Sequence, residues 1–206
     1  LTSGEMHVSP KIDGELWFMI IENDEVVLSN TRGKLIAGDI PLLSEVSKIS
    51  SRFTGRSILA GELFVATKEG RPRVSDLASA FGGGAKAKVE TLGFAAFDII
   101  SGGDAKSTMP LADYKDRLTL IERLLDGGKR VKCVKTETIN SPKEAIGYFE
   151  DWVEGGKAEG LVVRAGEGRT YKVKPSLSVD AVIIGYTEKS DDSSQVRSIF
   201  LEFMYF

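Results

Sequence analysis

Apolar and polar positions along the chain fall into patterns that separate strands from helices. Glu15 to Ile21 and Val26 to Ser29 are two β-rich runs, and the polar Glu22-Asn23-Asp24-Glu25 between them predicts an antiparallel hairpin. Ser57 to Thr67 predicts a further hairpin strand that ends at the Lys68-Glu69-Gly70-Arg71-Pro72 turn. Val74 to Phe81 predicts a short helix, with Gly82-Gly83-Gly84 as a flexible link behind it. Leu92 to Ile100 is apolar at nearly every position, the pattern of a strand buried on both faces.

Two helices have stronger signals. Tyr114, Leu118, Ile121 and Leu125 recur at the spacing of one helical face, and Gly127-Gly128 supplies the stop. Ser141-Pro142-Lys143-Glu144 has the S-x-x-E capping-box pattern with proline at the first helical position. Ala145, Phe149, Trp152 and Val153 then form a stripe ending at Gly155-Gly156. Strands are expected at Gly160 to Arg164, Thr170 to Lys174, Ala181 to Thr187 and Ser198 to Phe206. Strands outnumber helices and do not alternate strictly with them, which predicts an α+β chain of mixed or antiparallel sheets flanked by helices.

Composition narrows the class. With 206 residues, 42% hydrophobic, 28% charged and a net charge of −3, the chain is neither a disordered tail, a collagen-like chain nor a disulfide scaffold. Its longest strongly apolar run, Leu16 to Ile21, is six residues, far short of the roughly 20 a bilayer crossing needs, so no membrane partner is expected. The first residues, LTSGEMHVSP, lack the basic and apolar regions of a secretory signal, and Cys133 is the single cysteine. Both point to a reducing, intracellular compartment. The mildly acidic balance argues against coating nucleic acid by bulk charge, yet leaves room for a local basic groove.

Candidate chemistry starts at Lys11-Ile12-Asp13-Gly14, just before a predicted strand. Only roughly one lysine amine in a few thousand is neutral at pH 7, so a nucleophilic lysine needs cations or desolvation to depress its pKa. Gly14 lets the backbone come close to a ligand, and Asp13 offers an acceptor beside the amine. Lys172 and Lys174, two apart on a predicted strand, share one face and suit a phosphate; alone, such a pair is more often a solvated edge. Glu62 and Glu159 sit in or beside apolar strand residues, where a carboxylate is expensive unless it is paired or holds a metal. His7, the one histidine, is expected at the surface, and Cys133 as a small hydrophobe on a strand face. Arg52, Arg56, Lys68, Arg71 and Arg73 are either contacts for a DNA backbone or plain solvated surface.

The ordered series carries more than any member. KIDG at 11–14 is followed by Thr31-Arg32-Gly33, Leu59-Ala60-Gly61-Glu62-Leu63-Phe64, Phe94-Ala95-Ala96-Phe97-Asp98, Glu159-Gly160-Leu161-Val162-Val163-Arg164 and Tyr171-Lys172-Val173-Lys174-Pro175. In this order and at these spacings the chain resembles the covalent nucleotidyltransferases, most closely the adenylation domain of ATP-dependent DNA ligases, over residues 11 to 175. The resemblance implies a nucleotidyltransferase domain of two antiparallel sheets flanked by helices, with the nucleotide between them and the start of a C-terminal OB-fold after it. It also implies that Lys11 attacks the α-phosphate of ATP to give lysyl-AMP, which then passes to the 5′-phosphate of nicked double-stranded DNA. Asp13, Gly14, Arg32, Glu62, Phe97, Glu159, Lys172 and Lys174 become the nucleotide-binding residues. Phe97 would stack on adenine, and Glu62 and Glu159 would hold Mg²⁺. A monomer is expected.

Departures from the pattern matter. Leu16 occupies a position where these ligases commonly carry arginine, and Ser9 the position two before the lysine where an acidic residue helps recognise adenine. Residues 176–206 are too few for a five-stranded OB-fold, which needs roughly fifty, so they are expected to hold only its first strands. The chain alone is then expected to be slow in forming its own lysyl-AMP and weak on nicked DNA. Alternatives are an RNA ligase or capping guanylyltransferase, which share the K-x-D-G lysine, and a ligase-derived nucleotide- or DNA-binding module without turnover.

Overall fold

The computed structural model describes residues 4–67, 70–82, 88–166, 168–176, 178 and 180–203. Lys68, the Gly83-Gly84 part of the expected link, and the last three residues of the expected final strand lie outside them. The chain divides into two compact units, Leu1–Lys174 and Pro175–Phe206.

In the first unit a six-stranded sheet has the order β4-β3-β2-β5-β6-β7. Its strands are β2 (Glu15–Glu22), β3 (Glu25–Asn30), β4 (Leu35–Ile36), β5 (Ser57–Val65), β6 (Leu92–Ser101) and β7 (Val131–Cys133). All pairings are antiparallel except β6 with β7. The predicted hairpin turn is present, with Asn23 and Asp24 both at positive φ, 49° and 67°, as the right-handed strand twist favours in a two-residue turn. One face of this sheet alternates Trp17, Met19, Ile21, Leu59, Leu63, Phe94 and Ala96 into a buried core. Helices α1 (Pro41–Ser47), α2 (Val74–Phe81) and α3 (Tyr114–Leu124) add Leu42, Val46, Leu77, Ala80, Leu120 and Ile121 to it. Leu92 to Ile100 is not apolar-faced on both sides: Ile100 is exposed and Phe97 and Asp98 are half-buried.

A second, four-stranded antiparallel sheet has the order β10-β9-β1-β8. It comprises β1 (Met6–Lys11), β8 (Glu137–Ile139), β9 (Gly160–Ala165) and β10 (Thr170–Val173). Its own core packs Met6, Val8, Ile139, Leu161 and Val163 against Ala145 and Trp152. These last two come from α4 (Pro142–Phe149) and from the wider π-helical turn, Glu150–Glu154, that extends it. Proline opens α4 as predicted, but the capping box differs. The Ser141 hydroxyl donates to Glu144 Oε1 at 2.8 Å instead of capping a backbone N–H.

The second unit holds one antiparallel pair, β11 (Ala181–Glu188) and β12 (Val196–Phe203), with a register shift between Ile183 and Gly185. No helix among the described residues is long and apolar enough to cross a membrane.

Candidate nucleotide site

Strand alternation places the chemistry. Along β1, Met6 and Val8 enter the second core, so His7, Ser9 and Lys11 share the opposite face. The register then builds three rows across the sheet. His7 opposes Arg164, which opposes Thr170; Ser9 opposes Val162, which opposes Lys172; Lys11 opposes Gly160. The six-stranded sheet contributes a row of its own, Leu16 opposite Glu62 opposite Ala95. A cavity of about 390 Å³ lies between the two faces, lined by Ser9, Lys11, Leu16, Glu62, Ala95, Phe97, Val162, Arg164 and Lys172, among others.

Phe97 owes its place to a β-bulge. Ala60 pairs with Asp98 and Gly61 with Ala96, so Phe97 is the extra residue on β6. The bulge lets both Phe97 and Asp98 face the cavity while Ala96 and Ile99 stay in the core. The first turn of α3 secures this segment. Tyr114 donates to the Phe97 carbonyl at 2.9 Å, and Arg117 Nε donates to Asp98 Oδ1 at 2.7 Å. Burial pushes the Tyr114 phenol up to about 12, so it remains a donor through the neutral range.

At the other end of the cavity Glu159 bridges two lysines. Lys11 Nζ donates to its Oε2 and Lys174 Nζ to its Oε1. Burial works to raise the Glu159 carboxyl, but the hydrogen bonds from Lys11 and Lys174 outweigh it and hold the group below the ordinary carboxylate range. Lys174 lies one residue beyond β10 and reaches Glu159 because Gly160 leaves room. A Cβ on Gly160 would sit 2.3 Å from the Val173 carbonyl and 3.2 Å from Lys174 Cγ. Gly160→Ala is therefore expected to cost about 1–3 kcal/mol in urea denaturation and to loosen the Lys174–Glu159 contact; an unchanged midpoint would refute the close approach.

Glu62 has the opposite balance. Burial raises its carboxyl above the ordinary value, against the pull of Lys11, a hydrogen bond from the Gly14 backbone, and Lys172; Glu159 adds repulsion. A carboxyl raised on folding contributes stability that is present below its unfolded pKa and is lost as pH rises through the folded value. Glu62→Gln is thus expected to raise the thermal midpoint by a few degrees at neutral pH, the gain vanishing below about pH 4. A variant that melts lower at neutral pH would contradict this. Gly14 abuts β5, where a Cβ would meet the Leu63 carbonyl at 2.3 Å and Glu62 Cγ at 3.0 Å.

Of the expected site residues, Lys11, Glu62, Phe97 and Lys172 line this cavity, and Glu159 and Lys174 join it through Lys11. Asp13 is not among the lining residues. Arg32 is exposed and lines a neighbouring cavity with Trp17, Asn30 and Phe81, sharing only Leu16 with the first. His7 is buried, not superficial: it is 9% exposed, its ring packs 5.3 Å from that of Tyr114, and burial lowers its pKa. Arg52 is exposed but engaged, donating to the carbonyls of Leu124 and Asp126 at the end of α3. Cys133 is raised by burial to about 12, as its place on a half-buried strand face implies. Arg164 had no assigned role in the sequence; the pairing register that aims it into the cavity is invisible there.

The donor set suits a hard cation. Glu62 and Glu159 are close enough to repel each other, and among the described residues no group of three or more His, Cys, Asp or Glu gathers. Glu62 and, once released from its two lysines, Glu159 would be the two carboxylates, the share that Mg²⁺ takes from a protein when phosphate and water complete its shell.

Comparison with known proteins agrees with this layout. Residues 1–177 match the family described as the ATP dependent DNA ligase domain. No curated protein matches the chain. Among solved structures, "Pmar-Lig_PreS3" superposes with TM-score 0.73 at 16% identity, covering 97% of this chain and 49% of that one. A structure from a study of DNA binding with a minimal scaffold in Lig E DNA ligases gives TM-score 0.66 at 17% identity, covering 98% and 75%. A mycobacterial DNA ligase D complexed with ATP and MES gives 0.63 at 18% identity, covering 96% and 62%. The chain spans about half the length of the first of these. By the motif series, the two-sheet cleft and the match over residues 1–177, the chain belongs to the ATP-dependent DNA ligase domain family.

Proposed function

We propose that this chain transfers adenylate from ATP to Lys11 and then to the 5′-phosphate of a nicked DNA duplex. The observation that carries the reading is the gathering of Lys11, Glu62, Phe97 and Lys172 around one cavity, with Glu159 holding Lys11 and Lys174 at its end. Phe97 supplies a ring for the base to stack on; it lies outside the hydrophobic core beneath its sheet. Lys172 and Lys174 supply positive charge for the phosphates. In the first step the Lys11 nitrogen bonds to the α-phosphorus, the bond from that phosphorus to the bridging oxygen breaks, and pyrophosphate leaves. One ammonium proton must leave before attack and another as the P–N bond forms; Glu159, already the acceptor on Lys11, is the first base either proton meets. Glu62 and Glu159 would hold Mg²⁺, which when bound supplies charge neutralisation to the phosphoryl oxygens. In the second step the 5′-phosphate of the nick takes the adenylate from Lys11, which regains its amine. The hairpin of the second unit fits the opening strands of an OB-fold in this reading.

The test is intact-mass analysis after prolonged incubation with ATP and Mg²⁺. One acid-labile adenylate mapped to Lys11 is expected. Bound ATP with no adduct would replace the proposal with a binding module without turnover.

A further inference from the structure

We propose that Tyr114 and Arg117, in the first turn of α3, are positioning residues that set the Phe97 ring for base stacking, and so govern ATP affinity without touching the nucleotide. This rests on the reading of the cavity as a nucleotide site with Phe97 as its stacking ring, and adds what fixes that ring.

Phe97 sits where its strand leaves ordinary ladder support. It is the extra residue of the bulge, and the pairing with β5 skips it, joining Ala60 to Asp98 and Gly61 to Ala96. On the other flank β7 pairs with Phe94, Ala95 and Ala96, and the Val134 N–H donates to the Ala96 carbonyl at 2.8 Å. That register ends there. The next carbonyl, that of Phe97, accepts from the Tyr114 hydroxyl at 2.9 Å. The next side chain, Asp98, is held by Arg117, whose Nε and Nη2 reach its two carboxylate oxygens at 2.7 and 3.5 Å. Arg117 Nη1 donates at the same time to the carbonyls of Leu111 and Ala112, at 3.1 and 2.8 Å. One guanidinium fork thus ties the bulge to the segment leading into the helix.

The helix is itself anchored, with Leu120, Ile121 and Leu124 in the core of the six-stranded sheet. The bulge is therefore referenced to the core through α3. Neither Tyr114 nor Arg117 lines the nucleotide cavity; both line a neighbouring one of about 390 Å³ that shares Asp98 with it. A ring fixed beforehand need not be ordered when the base arrives, whereas a ring on a loose bulge must be. Tyr114→Phe isolates this effect. It removes the hydroxyl, which meets the Phe97 carbonyl and the Thr136 side chain, and keeps the ring that packs on His7 and Arg164.

The test is displacement of a fluorescent ribose-labelled ATP from the 206-residue chain, with Mg²⁺ present, by ATP and by inorganic tripolyphosphate, which has no base. Tyr114→Phe is expected to weaken ATP about five- to tenfold, the scale of one hydrogen bond, and to leave tripolyphosphate unchanged. Arg117→Lys, which keeps the charge and loses the fork, is expected to act in the same way. In a Phe97→Ala background both substitutions are expected to have no further effect, because the ring they position is gone. Contacts that merely stabilised the fold would instead weaken both ligands together.

Folded Tyr114→Phe and Arg117→Lys proteins that bind ATP as the wild type does overturn the inference and leave the nucleotide site standing. Equal weakening of both ligands does the same, as does a full effect retained without Phe97. Thermal melts identify a variant that fails to fold, and the other then carries the comparison; if tripolyphosphate does not compete, the Phe97→Ala background decides alone. A Phe97→Ala protein with wild-type ATP affinity overturns the stacking role of Phe97 and the inference with it. Wild-type protein that binds no ATP overturns the nucleotide site as well.

Discussion

Lys11→Ala is expected to abolish the covalent adenylate, with the rate of adduct formation falling at least about a thousandfold, as when other covalent nucleophiles are removed. The side chain is 16% exposed and meets the rest of the site through Glu159. Removing it leaves Glu159 with Lys174, so no carboxylate is stranded and the fold should persist. ATP binding should persist too, weakened, because Phe97, Lys172 and Lys174 remain. Intact mass and nucleotide titration on the same preparation separate these effects. If the variant still carries an adenylate, the nucleophile is another amine, and Lys172, across the same cavity, would be the first to examine.

Glu159→Gln has the second-largest expected effect. The carboxylate spends one oxygen on each of two ammonium groups. Glutamine keeps one acceptor and turns an NH₂ donor toward the other lysine, so one of the two is released and gains freedom the reaction cannot use. Adduct formation should fall about a hundredfold, the scale of losing one preorganised electrostatic contact. Stability should respond to pH with the opposite sign from Glu62. A carboxyl held low on folding contributes stability present above its unfolded pKa and lost as pH falls through the folded value. Wild type should therefore out-melt Glu159→Gln at neutral pH and lose that advantage in acid, whereas Glu62→Gln out-melts wild type at neutral pH. Parallel thermal melts of the two variants across pH would expose an error in either assignment: both differences having one sign at neutral pH would contradict the pair.

Much of the framework was legible because its signals are local. The β2–β3 hairpin follows from β-branched runs around Asn23-Asp24, α2 and α3 from their apolar faces, and α4 from its proline. The elements that escaped are short or interrupted. β4 and β8 are two and three residues long, too short for a periodic pattern, α1 has seven residues, and of β7 only the strand face at Cys133 was legible. β1 alternates apolar and polar for only four residues before Pro10 breaks the pattern. Motif order identified Lys11, Glu62, Phe97 and Lys172, whose identities are recognisable without knowing where they point. The burial of His7, the bulge that frees Phe97, the engagement of Arg52 and the aim of Arg164 all depend on which strand lies opposite which. Pairing register is a long-range property, so single positions along the chain do not reveal it.

The row of His7, Ser9 and Lys11 has a further consequence. Because side chains on one face recur every second residue, Ser9 and Lys11 are separated by a fixed step of about 6.8 Å, and no smaller adjustment exists. Inserting or deleting one residue between them would not shift Lys11 slightly; it would turn it into the apolar layer behind the sheet and leave Pro10 or Ile12 forward in its place. The strand works as a ruler with one graduation. Divergence in this segment is thereby confined to changing the residue at a mark, as serine at position 9 does, and cannot move the marks.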